Sequence, residues 1–326
     1  MSPEISVVVP VFNEEKGLPL LFDRLFPAME SLQRAYEVLF VDDGSRDGTA
    51  AVLRQIVAAR PDNAIALILA HNVGQHLAIL AGFEQARGAF IVTLDADLQN
   101  PPEEIAALVH AFDGGADYVG SVRELRKDVW WRRAVSGMVN RVRARTTGIH
   151  ITDQGCMLRG YDRHIVDAVN SCGEVSPYLP ALAYTFARRP VELRVKHESR
   201  AAGESRYSLF RLLRLNLDLM TGYSVVPLQL FSICGILIAC SSLLFVLILA
   251  GRRLIAGPEA DGLFTLFGIA FFLLGFVLFG LGIVGEYIGR IFEQVRGRPR
   301  FIVAEVLGGS SARDLAANSR VTMVGQ

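Results

Sequence analysis

The stretch IVTLDADLQNPPEE, residues 91–104, runs a short apolar series of β-formers into two aspartates one residue apart and then stops at two prolines. Asp95 and Asp97 stand at i and i+2, and along an extended chain such side chains share a face. Two carboxylates side by side repel each other unless something positive lies between them. One reading is a solvated turn capping the helix that follows Pro101 and Pro102, since proline suits the first helical turn. The other is a divalent-cation site at the mouth of a parallel sheet. The turn alone does not choose between them.

The same layout recurs upstream. ISVVVPVF (5–12), EVLFVDDGS (37–45), AIALILA (64–70) and AFIVTLDAD (89–97) read as strands, and 16–31, 48–59, 75–87 and 102–112 carry helical apolar spacing. Continuous apolar strands alternating with amphipathic helices predict βαβ units around a parallel sheet covered on both faces. Ligands of such sheets bind beyond the carboxyl ends of the strands. The polar turns NEE, DDGSRDGT, HNVGQ and DADLQNPP all fall on that edge, and their coincidence favours the cation reading over the cap. No GxGxxG opens the first helix and no GxxxxGK followed by Ser or Thr occurs. Both absences argue against a dinucleotide-dependent dehydrogenase and a P-loop NTPase.

The chain has 326 residues and a formal net charge of zero, yet its mean hydropathy is +0.34. The apolar excess lies in 228–250 and 263–285. Each is nearly free of charge and reaches the roughly 20 residues a membrane helix needs. Neither shows the polar stripe of a buried core helix. The N-terminus shows no basic region or cleavage site, so no signal peptide is expected. Cys156, Cys172, Cys234 and Cys240 form no CxxC pair, which suits neither a disulfide framework nor a zinc site. The histidines show no ligand spacing. Residues 121–145 are rich in arginine, with Val135, Met138, Val139 and Val142 at helical spacing. Their place between the site strands and the membrane segments points to an anion, either a phosphate or acidic lipid heads, and no nucleic-acid partner is expected. Residues 207–224 read as a helix at the membrane surface, with Arg211 and Arg214 placed to snorkel. The arginine bias around the two spans puts both termini in the cytoplasm, and the small, polar residues 308–326 are expected to be disordered.

VVVPVFNEE, VDDGSRDGT, NVGQ followed by AGF, and DADLQNPPE, at these spacings, resemble the family 2 inverting glycosyltransferases of the GT-A type. TDQGCMLRGYDRHIVDAV, GESRYS and GLGIVGEYIGRIFEQVRGRPRF extend the resemblance to polyprenyl-phosphate glycosyltransferases with two membrane helices. The resemblance implies an α/β fold: a cytoplasmic, Rossmann-like GT-A domain over 1–206. It adds an amphipathic juxtamembrane helix over 207–226, transmembrane helices over 227–250 and 263–288, and a cytoplasmic tail over 289–326. It implies a homo-oligomer, a tetramer, in the bacterial inner membrane and contact with the lipid bilayer. The donor would be a UDP-sugar, the acceptor undecaprenyl phosphate and the cofactor Mg2+ or Mn2+. A modified arabinose ranks ahead of glucose, N-acetylglucosamine or mannose as the transferred sugar.

Residue by residue, the resemblance places Pro10, Asn13 and Glu14 around the nucleotide base and ribose, and Asp42 at the base. Asp97 falls at the metal and diphosphate, Asp95 at the metal or the ribose, and Gln99 at a third ligand position. Arg123, Arg132, Ser136 and Arg206 fall at the acceptor phosphate, and Asp153 at the family's proposed base. The acceptor is a phosphate monoester with a second pKa of about 6, already mostly dianionic near neutral pH. Three readings of Asp153 therefore stay open: a base, an orienter of an arginine, or a helix N-cap. Gln154 stands where the family usually has Tyr, and Arg206 where it usually has Lys. Both departures bear on the donor sugar more than on the reaction. A processive polysaccharide synthase is disfavoured by the missing QxxRW and by having two spans. A small transport or flippase subunit leaves the carboxylate turns unexplained. It also predicts ionisable residues inside the spans, where only Glu286 lies near one.

Overall fold

A computed structural model describes residues 3–123, 151–153, 155–174, 178–196, 198, 226–256 and 263–308. Arg132, Ser136, Gln154, Arg206 and all but the last residue of the helix expected over 207–226 lie outside the described residues. The first half alternates as its apolar spacing predicts: β1 (Ile5–Val11), α1 (Leu18–Ser31), β2 (Tyr36–Asp42), α2 (Thr49–Ala59), β3 (Ala64–Leu69), α3 (Gln75–Gln85) and β4 (Phe90–Thr93). A single 3-10 turn, Pro102–Glu104, leads into α4 (Ile105–Asp113) and β5 (Tyr118–Arg123). Then come β6 (Arg159–Asp162), α5 (Arg163–Ser171), α6 (Leu179–Phe186), β7 (Pro190–Val195), α7 (Val226–Ala256), α8 (Leu263–Val295) and β8 (Val303–Leu307).

Among the described residues, eight strands form one sheet in the order β7–β5–β6–β4–β1–β2–β3–β8. The α/β fold expected of a GT-A domain is present, but the sheet is mixed rather than purely parallel. β6 runs antiparallel to β4 and β5, and β8 antiparallel to β3. β6 is only RGYD, too short and too polar for an alternation signal. β8 follows the two long helices, in a stretch expected to be tail. Every residue of β1 is buried. Val7 and Val9 pack in one cluster with Leu18, Leu21, Leu25 and Met29 of α1. Each fully buried aliphatic side chain of this kind contributes about 1.5–3 kcal/mol.

The pairing of β1 opens the site. Its register with β4 ends at Val8–Thr93, while its register with β2 runs on to Val11–Asp42. Val8 O accepts from Leu94 N, so the even positions of β1 address β4. Pro10 has that parity and stands just past the end of β4, where a backbone N–H would find no partner. From β1 the strand order runs to β2 and β3 on one side and to β4 on the other, the switch point at which open α/β sheets bind ligands.

The sheet with its helices, β8 included, forms one compact unit, and α7 with α8 falls in a second. The residues expected to span the membrane are helical in both segments. Ile269–Phe292 of α8 is long and apolar enough to cross a bilayer. The expected tail over 289–326 begins inside α8 and then supplies β8.

Candidate active site

The turns beyond β1 and β2 are laced together. Asn13 sits at φ 54°, a left-handed conformation that asparagine tolerates better than most residues. Its N–H donates to Ser45 Oγ (2.8 Å), and its Oδ1 accepts from Arg46 N (2.9 Å). Glu14 N donates to Thr49 Oγ1 at 2.9 Å, and Glu15 Oε2 accepts from Gly48 N at 3.1 Å. Asp42 is 1% exposed and accepts from Ser45 N at 3.0 Å. The neighbouring Asp43, to which the sequence assigned no role, reaches the other way. It is 3% exposed and accepts from Val73 N (2.7 Å) and Gly74 N (2.9 Å) in the turn beyond β3. Gly44 lies between at φ 68°, and a Cβ there would meet His71 C at 2.6 Å and Asn72 N at 2.7 Å. From the end of that turn Gln75 donates to Asp95. NVGQ therefore steadies the aspartate turn.

Asp95 and Asp97 are half-buried, beyond the end of β4 and not within it. Their expected common face along a strand is therefore corrected: a turn sets their geometry. Asp97 Oδ1 accepts from Gln99 N at 3.2 Å, and Leu98 takes φ 58°. The Gln99 carbonyl accepts from Glu198 N at 2.9 Å. Glu198 and Glu103 together clasp Arg24 of α1. Among the described residues no group of three or more His, Cys, Asp or Glu side chains is arranged to hold a metal ion. Two carboxylates are present, and a cation here needs further oxygens from its ligand.

At the end of β5, Arg123 meets Asp153. Nε lies 2.7 Å from Oδ2 and Nη2 lies 2.9 Å from Oδ1, a two-pronged pair. The Arg123 N–H adds a bond to Oδ2 at 3.3 Å, and Gly155 N donates to Oδ1 at 3.0 Å. A Cβ on Gly155 would lie 2.7 Å from Arg123 Nη2, so glycine makes room for the guanidinium. Burial alone would raise the Asp153 carboxyl, but the bonds from Arg123 hold it below the ordinary aspartate value. Asp95 also feels Arg123 electrostatically. Of the three readings left open for Asp153, this pairing matches the orienter of an arginine, with Arg123 as the arginine.

Beneath them lies Arg159, which sequence reasoning missed. Its side chain is fully buried. Nε donates to Cys156 O (2.9 Å), Nη1 to Tyr118 Oη (2.6 Å) and Nη2 to Asp153 O (2.5 Å). An arginine opening a four-residue strand gives no periodic signal that could have marked it.

The family whose sequence pattern matches is Glycosyl transferase family 2, over residues 6–169. A protein of Aeromonas hydrophila named undecaprenyl-phosphate 4-deoxy-4-formamido-L-arabinose transferase is 47% identical over 305 residues, covering 93% of this chain and 94% of its own. A protein of the same name from Proteus mirabilis is 46% identical over 307 residues, covering 94% of each chain. A solved structure of the mannosyltransferase PcManGT from Pyrobaculum calidifontis, in complex with GDP-Man and Mn2+, is similar at a TM-score of 0.46. It is 17% identical and covers 92% of this chain and 89% of that one.

Proposed function

The chain belongs to glycosyl transferase family 2, and from that premise we propose that it transfers 4-deoxy-4-formamido-L-arabinose from a UDP-sugar to undecaprenyl phosphate. The observation that carries this reading is the near-full-length similarity to two relatives whose name states that sugar and acceptor. In the reaction an acceptor phosphate oxygen bonds to the anomeric carbon, the bond from that carbon to the diphosphate oxygen breaks, and UDP leaves with its electron pair.

Asp95 and Asp97 would hold a hard divalent cation, Mg2+ or Mn2+, which prefers carboxylate and phosphate oxygens. Such a cation supplies, when bound, positive charge against the charge that grows on the leaving diphosphate. Pro10, Asn13, Glu14 and Asp42 border the nucleotide, and Gln99 stays a proposed third ligand. Arg123, with Arg132, Ser136 and Arg206, holds the acceptor phosphate. In this reading Asp153 orients Arg123, because both its oxygens already accept from that guanidinium. A dianionic phosphate needs no base to become a nucleophile.

We further propose that α7 and α8 both cross the bacterial inner membrane, with the sheet on the cytoplasmic side. In α8 a Cβ on Gly282, Gly285 or Gly289 would meet open space. The GxxxG spacing of the last two suits close approach of a second copy in a homo-oligomer, a tetramer.

The test measures UDP release by the purified full-length protein, given undecaprenyl phosphate and each UDP-sugar in turn. Release with the formamido-arabinose donor at least tenfold faster than with UDP-glucose is expected. Equal rates would overturn the sugar assignment. Asp97→Asn and exhaustive chelation with EDTA should each abolish release, and full activity in EDTA would remove the cation from the mechanism.

A further inference from the structure

Arg159 places a permanently charged guanidinium in the interior, and none of its three hydrogen bonds described above goes to a carboxylate. Burying a cation costs several kcal/mol unless its surroundings compensate. Two of its three partners, the carbonyls of Asp153 and Cys156, are the two ends of the turn that presents the Asp153 side chain. The third, Tyr118 Oη, belongs to the first residue of β5, the strand that ends in Arg123. One fork therefore reaches both halves of the Arg123–Asp153 pair. Its own backbone is fixed by the antiparallel strand β6: Arg159 is in register with Thr93, the last residue of β4, and with Gly120 of β5. A short antiparallel insertion thus sets a side chain of known direction under the carboxyl edge of its neighbours.

We propose that Arg159, with Tyr118 as its anchor, is a positioning residue for the acceptor phosphate. It fixes the Asp153 turn so that Asp153 holds the Arg123 guanidinium in its phosphate-binding orientation. The inference rests on the reading of Arg123 as the acceptor-phosphate residue. The geometry explains why an arginine stands here. Three acceptors in different directions need a planar fork with five N–H donors, which a lysine ammonium does not reproduce. Substitution therefore separates charge from shape. Arg159→Lys keeps the charge and loses the fork, whereas Tyr118→Phe keeps the arginine and removes one anchor.

The experiment measures Michaelis constants for undecaprenyl phosphate and for the UDP-sugar separately, with full-length protein in detergent micelles. Arg159→Lys and Tyr118→Phe are each expected to raise the acceptor constant about tenfold, the size of one or two lost positioning bonds. The donor constant should stay within about twofold. Arg159→Lys added to Arg123→Ala should do no further harm to acceptor binding, since the fork acts through the residue already removed. If Arg159→Lys does not yield folded protein, Tyr118→Phe decides by the same split. Equal changes in both constants, a wild-type acceptor constant in either folded variant, or additive effects in the double variant would overturn the proposal. Arg123→Ala alone separates the two levels. An unchanged acceptor constant there overturns the acceptor-site reading itself. A raised one, with Arg159→Lys and Tyr118→Phe unchanged, overturns only the role of Arg159.

Discussion

Asp153 accepts three hydrogen bonds from Arg123 and one from Gly155. A carboxylate so committed is a weak proton acceptor, and its titration lies below the ordinary aspartate range, about 4. A depressed carboxyl pKa contributes stability that is complete above the unfolded value and is lost as pH falls through the folded one. The pair is therefore intact throughout the range in which the acceptor phosphate titrates. Asp153→Asn should cut turnover by about 100-fold, the scale of an ångström-sized misplacement. That loss should be constant from pH 5 to 8, across the phosphate pKa of about 6. A loss that is large at the acid end and recovers as the phosphate becomes a dianion would restore the base. The sequence marked Arg123 through the basic run 121–145 and the family resemblance, and Asp153 through the TDQG motif. Which arginine Asp153 would orient was not legible there, since 30 residues separate it from Arg123 and the adjacency of β5 and β6 brings them together.

At the scale of elements, the carboxyl-edge turns act as one laced structure, and Asp43 is the tie between the second and third. Both its oxygens accept backbone N–H groups of the turn that leads to Gln75 and so to Asp95. Asp43→Asn leaves one acceptor and turns an NH2 group toward the other N–H. That buried mismatch should cost about 1–3 kcal/mol, read as a lower thermal midpoint, together with weaker binding of UDP in the presence of Mn2+. Unchanged stability would show that the turn relaxes around the amide. The strands and helices up to β4 were legible because their cores are continuous apolar runs of the right length. The aspartate turn was misjudged as strand because Leu94 and Ala96 keep the apolar alternation going past Thr93, where the pairing with β1 stops. β6 escaped notice because four residues carry no period, and its place in the sheet comes from its neighbours.

For the whole molecule, β8 constrains the membrane path. The chain leaves the sheet after β7 and rejoins it beside β3. Glu305 of β8 pairs with Arg54 of α2 at 2.6 Å, and Ala70 N donates to Ile302 O at 2.9 Å. Whatever lies between β7 and β8 must therefore cross a membrane an even number of times, because both strands belong to one sheet. If α8 crosses, as proposed above, a second crossing must accompany it. At 1.5 Å per residue the 31 residues of α7 extend about 46 Å, more than the roughly 30 Å hydrocarbon core. Residues 228–250 of α7 carry no charge and reach the roughly 20 residues a membrane helix needs, which suits α7 to that second crossing. In a variant lacking Cys156, Cys172, Cys234 and Cys240, a cysteine at Glu259 should react with a membrane-impermeant maleimide in intact cells. A cysteine at Asn318 should react only after the membrane is opened. Labelling of Asn318→Cys in intact cells would put the C-terminus across the membrane from the expected side. Protection of both positions would instead mean that α7 and α8 lie in or on the membrane without crossing it.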